Sequence, residues 1–229
     1  MGNLGIKSKF SLIVKLEGMM DIMIITIDGY DGTGKSTLAK RLAEEYNFIY
    51  IEKPFIKMVQ EKNMCSYVEA QIIALELEKQ LYVNNLREEK IRFYSNALVW
   101  LKSYAKDLNI VLDRGILTAY AVYGEKSTSD IFKEYINLGV FFDASIYLIA
   151  DDNERIRRIR KNDPFDPDLK YPTKWRDHNL DEFCDNLNLN RYTIITDNKS
   201  IDDVFQEATI HFNKELFKQE NIKEKKLIR

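Results

Sequence analysis

Apolar residues fall into short runs separated by longer amphipathic stretches. Ile22-Met23-Ile24-Ile25-Thr26-Ile27 is continuous, β-branched and of strand length, which predicts a strand buried on both faces. It leads into a glycine-rich turn. From Ser36 to Tyr46, Leu38, Leu42 and Ala43 recur on one helical face, with Lys40, Arg41, Glu44 and Glu45 on the other. Phe48 to Ile51 predicts a second strand, halted by Pro54. Tyr67 to Leu108 has no Pro or Gly and apolar residues at helical intervals, predicting two long helices that break around Asn84-Asn85. Asn109 to Asp113 predicts a third strand, Ala144 to Ile149 a fourth and Tyr192 to Thr196 a fifth. Helices are predicted at Ile116 to Tyr123, Asp130 to Leu138, Asn153 to Lys161 and Ile201 to Phe217. Asn162 to Asp185 holds three of the four prolines and few periodic apolar residues, so it reads as a loop or lid.

Strands alternating with helices predict an α/β fold in which helices cover both faces of a five-stranded parallel sheet. No repeat or linker divides it. Residues 23–217 form one expected domain, with an arginine-rich lid over about 153–185. Residues 1–22 read as an extension and 218–229 as a polar tail. Composition narrows the function classes. With 45% hydrophobic residues in 229, one sizeable core is possible, and a formal net charge of −2 lacks the basic stripe of a nucleic-acid binder. No run reaches the roughly 18 apolar residues of a membrane span. Two distant cysteines, Cys65 and Cys184, suit a cytoplasmic protein without disulfides or a zinc site.

The turn after the first strand reads Gly29-Tyr30-Asp31-Gly32-Thr33-Gly34-Lys35-Ser36. Strand, GxxxxGKS and helix together make a phosphate-binding P-loop. Its backbone N–H groups cradle phosphates, and the helix dipole adds to their pull. Lys35 then reaches the β/γ oxygens of ATP, and the Ser36 hydroxyl ligates Mg²⁺. Gly29, Asp31, Gly32, Thr33, Gly34 and Thr37 complete the expected nucleotide site. Asp31 is an acid among N–H donors; it suits a hydrogen bond to a sugar hydroxyl on the acceptor, or serves only as a turn former. The third strand delivers Asp113 and Arg114 at its carboxyl end, where open α/β sheets place ligands. Asp113 is a second candidate for Mg²⁺, and Arg114 for a phosphate gripped bidentately. A simple ion pair is the alternative for both.

The stretch Ile27 to Leu42, IDGYDGTGKSTLAKRL, resembles the P-loop of thymidylate kinases and their nucleotide and deoxynucleoside kinase relatives. More thinly, the likeness covers Ile24 to Ala208. It implies that Asp31 contacts the acceptor deoxyribose and Arg114 the acceptor phosphate. It also implies that Arg92 contacts the base and Thr118 lines the site. Where that family carries a base-reading Gln, this chain has Tyr123. Phe93, Tyr94 and Trp100, near Arg92, are candidates for base stacking or for plain core packing. The family's homodimers make a homodimer through the helices of 67–108 an expectation.

The second strand ends in Ile51-Glu52-Lys53-Pro54, where the likeness splits. Thymidylate kinases place an Arg at the Glu52 position to hold the acceptor phosphate, and Lys53 would replace that cation. Deoxynucleoside kinases use a nearby Glu as general base on a 5′-hydroxyl, which would suit Glu52. A solvated strand-end acid is the third option. Downstream, Arg155, Arg157, Arg158, Arg160 and Lys161 crowd one helix, with acids only at its start. A catalytic lid arginine is expected among Arg155, Arg158 and Arg160, with Arg158 taken as that residue; most of the others are surface charge. The residues and the resemblance together imply ATP-Mg²⁺-dependent, thymidylate kinase-like phosphoryl transfer to a (deoxy)nucleoside monophosphate, with Lys35, Asp113, Arg114 and Arg158 as catalytic groups. A deoxynucleoside kinase is the second reading, and a P-loop nucleotide sensor without an acceptor pocket the third.

Overall fold

The strands are β1 (Ile24–Gly29), β2 (Ile49–Ile51), β3 (Ile110–Asp113), β4 (Ala144–Ile149) and β5 (Tyr192–Ile195). They pair in parallel in the order β2-β3-β1-β4-β5, the five-stranded sheet expected. This computed structural model describes residues 23–227 except 85, 107, 125, 141, 167, 168 and 170–176. The expected extension, residues 1–22, and residues 167, 168 and 170–176 of the expected lid lie outside the described residues. Around the sheet run α1 (Lys35–Tyr46), α2 (Pro54–Asn63), α3 (Tyr67–Val83), α4 (Arg87–Tyr104) and α5 (Ile116–Tyr123). They are followed by α6 (Ser129–Asn137), α7 (Asp152–Asn162), α8 (Asp177–Asn186) and α9 (Ile201–Leu227).

β1 is buried at every position, as a run of β-branched residues in a central parallel strand must be. Its side chains alternate. Ile25 and Ile27 pack with Leu38 and Leu42 of α1 and Phe205 and Phe212 of α9. Ile24 belongs to the opposite layer, with Leu98 and Leu101 of α4, Leu117 of α5, Phe132 of α6 and Phe183 of α8. Each such side chain, fully buried, contributes about 1.5–3 kcal/mol. A third cluster, around Phe55, Ile56, Ala70, Ala74 and Ala97, knits α2, α3 and α4 into a helical wall beside the sheet. The chain builds β2 and β3 on one side of β1, then crosses to β4 and β5. The carboxyl end of β1 is therefore where strand order reverses, and such a crevice receives ligands in open α/β sheets. Register pairs Ile27 with Asp113 and Gly29 with Leu148, so the P-loop leaves β1 between the ends of its two neighbours.

Three elements differ from the pattern-based expectation. Pro54, read as a strand stop, also starts α2: at a first helical position its missing N–H would have had no intrahelical partner. α8 occupies part of the stretch read as loop, because Leu180, Phe183 and Cys184, at helical spacing, are buried against the core. α9 continues to Leu227, through the run read as a polar tail from 218. Polarity alone misled there, since Lys, Glu and Gln are good helix formers.

Candidate active site

The P-loop follows from its backbone. Gly29 has φ 136°, and a Cβ there would lie 2.4 Å from the Leu148 carbonyl oxygen, so only glycine lets the loop leave β1 so close to β4. Gly34, at φ 96°, is the left-handed N-cap of α1 and faces open space. Thr33 Oγ1 and Lys35 Nζ each donate to the Tyr30 carbonyl oxygen at 2.7 Å, bracing the loop from inside. Lys35 also approaches Asp31 Oδ1 at 3.5 Å. Burial, and next the Arg114 charge, lower its pKa to about 8. Around the loop opens a cavity of about 460 Å³, lined by residues 31–37 and by Arg41, Arg158 and Thr196.

Asp113 ends β3 beside the loop and is 2% exposed. Its Oδ2 accepts from the Ser36 hydroxyl, and Tyr50 approaches the same oxygen at 3.4 Å. Its Oδ1 is buried without a hydrogen-bond partner. Burial raises the carboxyl pKa of Asp113; the charges of Lys35 and Arg114 oppose that rise, while Glu52 adds to it. A buried carboxylate oxygen with no protein partner, next to a serine hydroxyl, is an oxygen donor set that fits Mg²⁺. Among the described residues no group of three or more His, Cys, Asp and Glu side chains could hold a metal alone. Mg²⁺ does not need one, because it is usually held by one or two carboxylates together with waters and substrate phosphates.

A second cavity, of about 300 Å³, lies on the other side of Asp31. Its sheet side carries two cations, Lys53 and Arg114. Arg114 forms an ion pair with Asp31 Oδ1 and donates its backbone N–H to the Ile27 carbonyl at 3.0 Å. It does so at φ 81°, a left-handed conformation that costs a non-glycine residue on the order of 1–3 kcal/mol and tends to mark functional sites. The helical side of the cavity carries Glu78 of α3, Tyr94 of α4 and Tyr123 of α5. The Tyr94 hydroxyl donates to Glu78, and its ring stacks on Tyr123 at 5.7 Å between centroids. Thr118 also lines this cavity, but its hydroxyl is committed, donating to Asp28 Oδ1 at 2.7 Å and accepting from the Gly29 N–H at 3.2 Å.

Asp28 links the two cavities from below. It is fully buried, and besides Thr118 Oγ1 it accepts the N–H groups of Gly115 and Thr118, each at 2.8 Å, and the hydroxyls of Thr26 and Ser145. One carboxylate thus fixes the turn that carries Arg114 and, through Thr118, the start of the P-loop. Sequence reasoning passed it over, although an acid in a β-branched strand directly before the glycine loop was a visible signal. Glu78 had no such signal. It belongs to a helix whose neighbouring positions are solvent-exposed, and it reaches the cavity only through packing across α3, α4 and α5.

The arginines of the basic helix α7 face different ways. Arg155 is 3% exposed; its Nε donates to the Asp31 carbonyl at 2.8 Å, and its guanidinium lies 5.0 Å from the Tyr30 ring centroid. It therefore props the loop from behind. Arg158 faces the nucleotide cavity, bonded to Glu154 and to Thr196 Oγ1 and carbonyl at 2.8–2.9 Å. Arg160 is exposed and lines neither cavity. Two further expectations, for Arg92 and Glu52, are corrected, and the alternatives open for the aromatics are resolved. Arg92 is 45% exposed, points toward Glu134 at 3.6 Å and lines a separate groove, because its position on α4 faces away from the cavity that Tyr94 faces. Phe93 and Trp100 pack against the third core cluster, and Trp100 stacks on Tyr104, so of the three aromatic candidates only Tyr94 reaches the cavity. Glu52 is exposed and outside the lining, while its neighbour Lys53 is inside it.

A family model described as an AAA domain matches residues 25–177, two-thirds of the chain and all of the machinery above except Thr196. The chain belongs to this family. The AAA-domain match takes in the P-loop, the Asp113-Arg114 turn and α7. A cytidylate kinase of Mesomycoplasma hyopneumoniae strain 232 is 26% identical over 211 residues, covering 81% of this chain and 86% of the relative. Among solved structures, a deoxyadenosine kinase from M. mycoides superposes with a TM-score of 0.53 at 20% identity, over 83% of this chain and all of that one. A thymidylate kinase from Ehrlichia chaffeensis gives 0.51 at 15%, over 85% and 99%. At these identities the structural likenesses show the P-loop kinase fold alone. Among the described residues, no helix is long and apolar enough to cross a membrane.

Proposed function

We propose that this AAA-domain chain is a nucleoside monophosphate kinase that transfers the γ-phosphoryl group of ATP to the acceptor's phosphate. The observation that carries this reading is the acceptor cavity itself. It joins the P-loop cavity at Asp31 and presents Lys53 and Arg114, while Glu52 stays outside its lining. Two cations suit an acceptor that is already an anion. A hydroxyl acceptor would instead need a base at the P-loop end, where the lining acid Asp31 is held in ion pairs with Arg114 and Lys35, while the other lining acid, Glu78, stands on the helical side. The relatives named cytidylate kinase and thymidylate kinase act on monophosphates by name, in keeping with this reading.

In the proposed reaction the loop amides and Lys35 hold the triphosphate, Arg114 and Lys53 the acceptor phosphate, and Asp31 a sugar hydroxyl of the acceptor. Ser36 and Asp113 would hold Mg²⁺, which neutralises charge on the phosphates when bound. Arg158, anchored to Thr196, faces the same phosphates from α7. Little covalent work falls to the protein, so positioning and charge carry catalysis.

One observation favours the rival reading: the Glu52 charge reaches Asp113 and Tyr50 and raises both pKa values, so this acid lies near the reaction centre. A panel of nucleosides and nucleoside monophosphates with ATP-Mg²⁺, followed by ADP release, decides between them. Turnover of monophosphates is expected. Turnover of nucleosides alone would replace this reading with a nucleoside kinase using Glu52 as base. ATP hydrolysis indifferent to every acceptor would leave only a nucleotide-binding switch.

A further inference from the structure

The helical wall of the acceptor cavity has a chemistry opposite to that of its sheet side. Lys53 and Arg114 offer positive charge, whereas Glu78 offers a carboxylate, flanked by the rings of Tyr94 and Tyr123. A carboxylate repels phosphate, and aromatic rings stack on bases. The phosphate of an acceptor therefore belongs with Arg114 and its base with Glu78. Tyr94 occupies Glu78 Oε1. An ionised carboxylate has about four acceptor sites and no donor, so the group that meets its remaining lone pairs must donate. Burial raises the pKa values of Tyr94 and Tyr123, which keeps both as neutral hydroxyls rather than competing anions. Lys90 lies 6.0 Å from the Tyr123 ring centroid, and the Glu78 charge opposes the fall in its pKa that burial causes.

We infer that Glu78 reads the acceptor base and selects one bearing an exocyclic amine, as cytosine, adenine and guanine do, over uracil and thymine. The inference rests on the monophosphate kinase reading. An amine N–H satisfies the carboxylate. In the pose that presents an amine to Glu78, uracil or thymine presents its O4 carbonyl instead and sets acceptor against acceptor in a partly dehydrated pocket, a mismatch that typically discriminates roughly ten- to hundredfold or more. Thymidylate is therefore not the favoured acceptor, despite the P-loop's likeness to thymidylate kinases. Tyr123, standing where those kinases carry a base-reading Gln, supplies a stacking surface instead of an amide.

The test compares kcat/KM for CMP, AMP, GMP, UMP and dTMP, at saturating ATP-Mg²⁺, in the wild-type protein, Glu78→Gln and Glu78→Asp. The wild type is expected to favour at least one amino-bearing monophosphate over UMP and dTMP by roughly tenfold or more. Glu78→Gln, whose amide can donate to O4, should erase most of that ratio. Glu78→Asp, with its carboxylate withdrawn by one methylene, should lose turnover while keeping the direction of preference. Equal use of all bases, preference for UMP or dTMP, or a preference that survives Glu78→Gln would each overturn the inference. Equilibrium binding of the five monophosphates is measured alongside, which separates failure of this inference from failure of the functional reading. If only nucleosides are phosphorylated, the monophosphate reading falls, and the same base ratios taken with nucleosides still decide the role of Glu78.

Discussion

The two cavities that meet at Asp31 are built in different ways. The nucleotide cavity takes its phosphate-binding floor from eight consecutive residues, 31–38, whose chemistry is backbone amide, Lys35 and a helix terminus, while α7 and the start of α9 supply its walls. The acceptor cavity collects Glu78, Tyr94 and Tyr123 from three helices and Lys53 and Arg114 from the turns after β2 and β3, across 71 positions of chain from 53 to 123. A floor made of one loop is constrained by that loop's geometry, so its sequence is nearly fixed by its task. A site assembled from packed helices can change a wall residue without disturbing the fold, and substrate choice resides there.

The sharpest way to break the comparison is to remove the cation of the loop. Lys35→Ala should lower kcat by about 10²–10³ for every acceptor alike, since it strips charge stabilisation from the transferred group common to all of them. Steady-state kinetics over the acceptor panel checks this, and a loss confined to one acceptor would contradict the division of labour. Next in size is Arg114→Lys. A lysine cannot make a bidentate grip, so kcat/KM for the monophosphate should fall by roughly 10²-fold, while the Kd for an ATP analogue changes little.

This difference also explains what could be read from sequence. Gly29 to Ser36 was legible because strand, glycines, lysine and helix are contiguous, and the structure gives each the expected place. Asp113 and Arg114 were legible because they end a strand beside that loop. The sheet followed from period and β-branching. Glu78 was not legible, because nothing in a helical stretch marks which position will face a cavity formed by two other helices. Arg92 shows the same limit from the other side: spacing from Asp113 suggested a base contact, but helical phase turns it toward Glu134.

Asp28 tests the joint between the cavities. Asp28→Asn keeps the shape but replaces one acceptor oxygen with an NH₂ group, which faces N–H and hydroxyl donors. The NH₂ can be met only if the Thr26 and Ser145 hydroxyls turn to accept, and the bonds from Gly115 and Thr118 lose their charge assistance, for an expected cost of about 1–2 kcal/mol in urea or thermal unfolding. Because Asp28 holds the Arg114 turn and also Thr118, KM values for both substrates should rise together. A rise for only one would place the joint elsewhere.

The lowered pKa of Lys35 gives a pH dependence specific to the nucleotide side. In the free protein Lys35 loses its charge as pH rises through about 8, so kcat/KM for ATP should decline above that pH, approaching tenfold per unit. The stability effect has the opposite sign. Between about 8 and the ordinary lysine value of 10.5 the unfolded chain binds the proton that the folded one has released. Stability therefore gains from this group as pH rises through that window, and below it the buried charge is a cost. Rate and stability profiles measured on the same samples separate the two, and Lys35→Met should abolish both inflections.

The smallest expected effect falls on Arg92. On the family likeness it would contact the base, and its loss would then raise the acceptor KM by an order of magnitude. In the structure its guanidinium is nearly half exposed and 3.6 Å from a Glu134 carboxylate that is 58% exposed. Pairs so placed contribute about 0–1 kcal/mol, mostly screened by salt. Arg92→Ala should therefore leave the acceptor KM within about twofold and unfolding within about 0.5 kcal/mol. The contrast with Glu78 is the informative part. Glu78 lies on α3 and Arg92 on α4, and they face opposite sides of the same helical wall. If Arg92→Ala were to disturb base preference while Glu78→Gln did not, the acceptor base would lie in the outer groove beside Phe93, and the cavity beneath Arg114 would serve the phosphate and sugar alone.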